Sequence, residues 1–199
     1  MQIQTFVLGD IKSNCYVVYE DRRAFMVDPG FDSDQVINFI EHHHLSLEAI
    51  YITHGHYDHC GGVRLLKERY LPVVYAPADD TVWFEETPYN RLGHVVPIDH
   101  KVNDGDEIKL IGKTFKVIAT PGHSAGGTCL YRGDLLFAGD TLFYQSIGRT
   151  DLPFADMHTL YGSIKRLYQL LPDETKVLPG HGRPTTIGHE KQYNPFVKG

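Results

Sequence analysis

The apolar positions of the chain change period from strand-like to helix-like and back within the first fifty residues. Ile3–Leu8, Cys15–Tyr19 and Arg23–Val27 are short runs rich in β-branched and aromatic residues, separated by turn formers. They predict consecutive strands with antiparallel neighbours. After Asp28-Pro29-Gly30 the spacing becomes helical, with Val36, Ile37 and Ile40 on one face and Ser33 or Asp32 placed to cap the helix. Ala49-Ile50-Tyr51-Ile52 then reads as a buried strand that delivers the chain to His54. Gly61-Gly62 opens a second helical stretch through Leu65, Leu66 and Tyr70, and Val73-Val74-Tyr75 is the strand after it.

The segment from Ala78 to His100 predicts a helix followed by loop. Alternation resumes in Ile108–Ile111, Phe115–Ala119, Thr128–Tyr131 and Leu135–Ala138, each bounded by Gly, Pro or Asp. Asp156 can cap a helix with Leu160, Ile164, Leu167, Leu170 and Leu171 on its apolar side, and Lys176-Val177-Leu178 is a strand leading to His181. Strand, turn, helix, strand and histidine thus occur in that order before His54 and again before His181, which suggests two similar halves. Two packed sheets flanked by helices, a four-layer α/β arrangement, fit this order better than a doubly wound parallel sheet, because the hairpin-like pairs want antiparallel partners.

Composition narrows the picture. With 199 residues, 42% hydrophobic and 22% charged, the chain predicts one folded domain over residues 1–199. A formal charge of −6 offers no basic footprint for nucleic acid. Met1–Asn14 lacks the unbroken apolar core of a signal peptide and no stretch approaches membrane-spanning length, so a cytoplasmic protein without a membrane partner is expected. Cys15, Cys60 and Cys129 form no CxxC pair and read as small packed thiols.

The chemistry concentrates at strand ends. His54, His56, Asp58 and His59 lie together after a predicted buried strand, and imidazole with carboxylate is a donor set for zinc, iron or manganese. His54 and His56 can point to one side of an extended backbone, leaving Asp58 and His59 for a second ion, with Gly55, Gly61 and Gly62 supplying conformational freedom. Pro121-Gly122-His123, Gly139-Asp140 and Pro179-Gly180-His181 each place a further ligand type beside glycine at the end of a predicted strand.

Taken together, Asp28-Pro29-Gly30, the segment Thr53-His54-Gly55-His56-Tyr57-Asp58-His59-Cys60-Gly61-Gly62, Pro121-Gly122-His123-Ser124, Ala138-Gly139-Asp140 and Pro179-Gly180-His181-Gly182 resemble the metallo-β-lactamase superfamily nearly end to end. Within it the chain is similar to short, single-domain glyoxalase II-like (hydroxyacylglutathione hydrolase-like) proteins, because Asp140 stands where the best-known zinc β-lactamases carry a cysteine. The resemblance implies an αββα sandwich of two mixed sheets flanked by helices. It implies two divalent metal ions, zinc first with iron and manganese as alternatives. His54, His56 and His123 would hold one, Asp58, His59 and His181 the other, and Asp140 would bridge them. It also implies that the helical C-terminal domain of full-length glyoxalase II, which carries much of the glutathione site, is absent after His181.

Two cations roughly 3.5–4 Å apart bring a shared water toward a neutral pKa, and the resulting bridging hydroxide is the expected nucleophile. Asp58 is assigned a catalytic role beside its ligand role, orienting that hydroxide. No further general acid is placed by the motifs, which favours a small-molecule thioester such as S-lactoylglutathione, since a thiolate of pKa roughly 8.5 departs unaided. The alternative is an oxidoreductase like the persulfide dioxygenases, which use the same scaffold with a single iron held by two histidines and an aspartate. Arg149 sits where the family has a basic residue for the glutathione glycine carboxylate, but Asp151 takes the place of a family tyrosine, and a structural ion pair is the other reading of Arg149. Consecutive histidines His42-His43-His44 diverge by about 100° each on a helix and read as a solvated helix end. His94, His100, His158 and His189 read as surface or supporting residues, and Trp83, Phe84 and Tyr89 as candidates for the wall of a cleft.

Overall fold

The computed structural model describes residues 1–31 and 33–199, so Asp32 lies outside the described residues. The first three strands form the expected meander: β1 (Gln2–Leu8), β2 (Ser13–Glu20) and β3 (Arg23–Val27) pair antiparallel in chain order. Helix α1 (Asp34–His42) then carries the chain across the sheet, and such a crossover lays β4 (Ser46–Tyr51) parallel to β3. Ser33 precedes α1 without capping it; its hydroxyl donates to the Gly30 carbonyl at 3.1 Å. A single helical turn, α2 (Tyr57–Cys60), and α3 (Val63–Tyr70) lead to the parallel strand β5 (Val73–Pro77). The segment after it is a 3₁₀ turn at Ala78–Asp80, α4 (Thr81–Phe84) and loop, as expected, but it ends in an unforeseen edge strand, β6 (His100–Val102). Only Val102 of β6 is buried, so the strand leaves no alternation to read.

The second sheet is built from the C-terminal half of the chain. β7 (Glu107–Leu110), β8 (Lys113–Ala119), β9 (Thr128–Arg132) and β10 (Leu135–Gly139) are antiparallel neighbours. After a small hairpin, β11 (Leu142–Phe143) with β12 (Ser146–Ile147), helix α5 (Met157–Leu170) crosses over. β13 (Lys176–Pro179) returns parallel to β10, β14 (Thr185–Thr186) closes that edge, and α6 (Ile187–Tyr193) follows. The echo between the halves is therefore physical: β3-α1-β4 ends at His54 as β10-α5-β13 ends at His181.

Alternating side chains divide the core into layers. From β2, Cys15 and Val17 pack with Val36, Ile40 and Leu66 of the covering helices, whereas Tyr16 and Val18 turn toward Phe115, Val117 and Phe137 of the other sheet. The sheets meet through edge-to-face rings, Phe25 on Phe115 at 5.1 Å and Tyr16 on Phe137 at 5.5 Å. On the far side Ile118, Leu136 and Ala138 pack against Leu160, Ile164 and Leu167 of α5. The result is the expected αββα order. Leu170 and Leu65 depart from their helical readings, at 55% and 47% exposure. At 100° per residue Leu170 falls roughly 80° off the stripe of Leu160, Ile164, Leu167 and Leu171, and Leu65 lies on the face opposite Val63. Among the described residues no helix is long and apolar enough to cross a membrane.

Candidate metal centre

The two sheets present their strand ends to one site. Asp28, at the end of β3, takes a left-handed backbone (φ 52°) and turns its carboxylate back under the neighbouring strand end. There it accepts from the Thr53 amide and hydroxyl at 2.7 Å each and from His59 Nδ1 at 3.1 Å. The Asp-Pro-Gly turn was legible in the sequence, but the bonding of its aspartate was not. His54 and His56 follow β4, and α2 brings Asp58 and His59 round to the same pocket. Gly61 and Gly62 do not serve by conformational freedom, since their φ angles of −60° and −86° suit any residue. They are needed for close approach: a Cβ at Gly62 would strike Ser33 and the Gly30 carbonyl, one at Gly61 the Phe31 ring, and one at Gly55 the Trp83 side chain. At Gly180 it would strike Asp140 and His59.

The donors gather in adjoining groups, His54 with His56 and His123, and Asp58 with His59 and His181, while Asp28 also lies close to His54 and His59. Asp140 lies between them, one oxygen 3.4 Å from His59 Nε2 and the other 3.4 Å from His123 Nε2 and 3.5 Å from His181 Nε2. Oxygen acceptors settle where the ring protons sit. His59 Nδ1 donates to Asp28, His123 Nδ1 to the Arg149 carbonyl at 2.8 Å and His181 Nδ1 to the Lys12 carbonyl at 3.2 Å. His54 Nδ1 donates to Thr53 Oγ1 at 3.1 Å, because that hydroxyl spends its own proton on Asp28. In its neutral form each of these rings therefore turns an Nε2 lone pair inward, as outer hydrogen bonds do for metal-binding histidines. His56 differs: its Nδ1 faces His123 Nε2 at 2.9 Å.

This arrangement suits divalent cations on its own terms. His54 Nε2, His56 Nε2 and Asp140 Oδ1 are buried without a hydrogen-bond partner, a costly state that a cation would relieve. Burial, reinforced by the neighbouring imidazoles, pushes His54 well below the usual histidine range and His56 down to about 3, with the Arg91 charge contributing at His56. Burial pulls His59 and His181 down too, but Asp140 and Asp58 outweigh it and hold both above the ordinary value. Asp58 resists the upward pull of its own burial and stays far below the carboxylate range through His59 and His181.

A family model described as Metallo-beta-lactamase superfamily matches residues 8–181. The chain belongs to the metallo-beta-lactamase superfamily. It is 34% identical over 208 residues to the hydroxyacylglutathione hydrolase GloC of Haemophilus influenzae, covering 99% of this chain and 98% of that one. Among solved structures it is similar to the BLEG-1 B3 metallo-beta-lactamase, with a TM-score of 0.92 and 37% identity over 100% of both chains. It is also similar to TTHA1623 in a di-iron-bound form, with a TM-score of 0.85 and 35% identity over 98% of this chain and 100% of that one.

As in a metallo-hydrolase of this superfamily, a cavity opens beside the donors, with a volume of about 460 Å³. Trp83 and Tyr89 line it as anticipated, whereas Phe84 is in the core beneath α1 and α3. Arg149 reaches the cavity wall with its guanidinium doubly bonded to Asp151, at 2.7 Å on each oxygen. The sequence reading missed Asp80, which is fully buried and accepts from the Gly55 amide, the Ser124 hydroxyl and the Gly126 amide at 2.6 to 2.8 Å. It also missed Asn14 and Tyr16, whose side chains bond the Pro179 carbonyl at 2.9 and 2.6 Å and so pin the His181 loop to the first sheet. Nothing local marks these residues, because their partners lie far along the chain. Cys60 is packed with its thiol on the Gly55 and His56 carbonyls, and His42, His43 and His44 are exposed at the end of α1.

Proposed function

We propose that this chain hydrolyses a small-molecule thioester in the manner of glyoxalase II. The observation that carries the reading is the convergence of His54, His56, Asp58, His59, His123, Asp140 and His181 at the mouth of a partly apolar cavity. The 34% likeness to GloC, named a hydroxyacylglutathione hydrolase, supports the choice of a thioester. In this reading His54, His56 and His123 would hold one divalent cation and Asp58, His59 and His181 the other, with Asp140 placed between the two groups. Such a pair would supply Lewis acidity for a water and an acyl carbonyl.

The rest falls to the protein. Asp58, kept ionised by His59 and His181, accepts a hydrogen bond from the attacking water and aims it at the carbonyl. Trp83 and Tyr89 give the apolar part of the substrate a surface and exclude water from one side. Departure of a thiolate needs no proton, so the site requires no separate acid for the leaving group. The donor atoms behind each cation are locked by oxygens from Asp28, Thr53, Lys12 and Arg149, which fixes ring orientation before substrate arrives.

The test is thiol release from S-lactoylglutathione and simpler thioesters by metal-loaded protein. Asp58→Asn is expected to lower kcat by about a hundredfold or more, and equal rates in the two proteins would remove the mechanism. The likeness to BLEG-1 favours β-lactam hydrolysis as a second reading; a higher kcat/KM on a cephalosporin than on every thioester would put it first. Metal analysis with oxygen uptake addresses the dioxygenase alternative. One iron per chain with oxygen consumed in the presence of a persulfide would replace hydrolysis.

A further inference from the structure

The cavity carries two arginines in different states. Arg149 directs Nε and Nη2 to the two oxygens of Asp151, so its fork is filled, and Asp151 presents a like charge to any incoming anion. Arg91, in the loop after α4, lines the same cavity, with its guanidinium 5.9 Å from the Tyr57 ring centre. Among the described residues no carboxylate lies within ion-pair distance of Arg91 and none of its guanidinium N–H groups has an acceptor. Tyr57 and the donor His56 line the cavity with it, while Trp83, Tyr89 and Leu152 form an apolar wall. An open guanidinium fork beside an apolar wall is built to take a planar carboxylate attached to an apolar body.

We propose that Arg91, and not Arg149, receives a carboxylate of the substrate, so that the site selects small anionic thioesters with an apolar portion resting on Trp83 and Tyr89. The inference builds on the thioester reading and names its specificity residue. It reassigns the carboxylate contact that the resemblance places at Arg149, because Asp151 already fills that arginine's fork.

Trp83 is the single tryptophan of the chain and lines the cavity, so its fluorescence reports binding there directly. The probe is (benzylthio)acetate, a thioether carboxylate with no hydrolysable bond, compared with its uncharged amide. Both are titrated into metal-matched samples of the unsubstituted protein, of Arg91→Met and of the paired variant Arg149→Met with Asp151→Asn. The acid should quench Trp83 and bind more tightly than the amide. Arg91→Met should weaken the acid by about tenfold and leave the amide unchanged, the loss expected for one charged hydrogen-bonded pair, and the paired variant, which removes both charges of the Arg149–Asp151 bridge, should leave both unchanged. The proposal fails if Arg91→Met binds the acid normally or loses the amide equally. It also fails if the loss appears in the paired variant, or if the unsubstituted protein does not prefer the acid. Since the probe cannot be cleaved, failure of anion selection and failure of thioester hydrolysis are read separately.

Discussion

His54 and His59 stand 4.2 Å apart, ring centre to ring centre, yet they hold protons very differently. Burial and neighbouring imidazoles strip His54, whereas Asp140, Asp58 and Asp28 overcome burial at His59. The consequence for the metal-free protein has a definite sign. His59 and His181, raised above the ordinary 6.5, contribute stability that is complete below that value and lost as pH climbs through their folded pKa values. His54 and His56, lowered below 6.5, contribute stability that is present above it and lost as pH falls. Urea midpoints of chelator-treated protein should therefore pass through a maximum near 6.5 and decline as pH rises above it. A midpoint that keeps rising over that upper range would show that His59 carries no second proton.

At the scale of elements, the 3₁₀ turn at Ala78–Asp80 acts as a staple between two loops of the centre. Through Asp80 it binds the amide of Gly55, between His54 and His56, and the hydroxyl and amide of Ser124 and Gly126, just after His123. Burial pushes the Asp80 carboxyl up, and those three donors hold it back. Asp80→Asn converts one acceptor oxygen into a donor and leaves a buried N–H or O–H facing it. The expected cost is about 1–3 kcal/mol in urea unfolding, with metal affinity weakened by about tenfold or more in competition with a chelating dye. Lost stability with unchanged affinity would make Asp80 a purely architectural residue.

At the scale of the whole molecule, His54, His56, Asp58 and His59 follow strands of the first sheet, while His123, Asp140 and His181 follow strands of the second. A cation pair would tie the sheets together at their strand ends, in addition to the aromatic contacts that join their faces. Any ligand that binds only the folded state stabilises it by mass action, about 4 kcal/mol at a thousandfold excess over Kd. Calorimetry should show a lower Tm after chelation, restored by zinc or iron. An unchanged Tm, with metal loss verified by elemental analysis, would contradict binding between the sheets.

The strands and crossovers were legible because each is encoded by residues within a few positions of one another. Period-two runs such as Phe115–Ala119 and the stripe of Leu160, Ile164 and Leu167 need no distant partner to be recognised, and the four-layer order follows from their succession. The candidate ligands were legible for a related reason, standing in short motifs at strand ends. Edge elements such as β6 were not, since three residues with one buried side chain carry no period. Nor were Asp80, Asn14 or the contrast between Arg91 and Arg149. A buried carboxylate that takes backbone amides from remote loops, and a guanidinium left open while its neighbour is filled, are properties of distances in space. Folding creates those distances by bringing two sheets face to face, and no spacing along the chain records them.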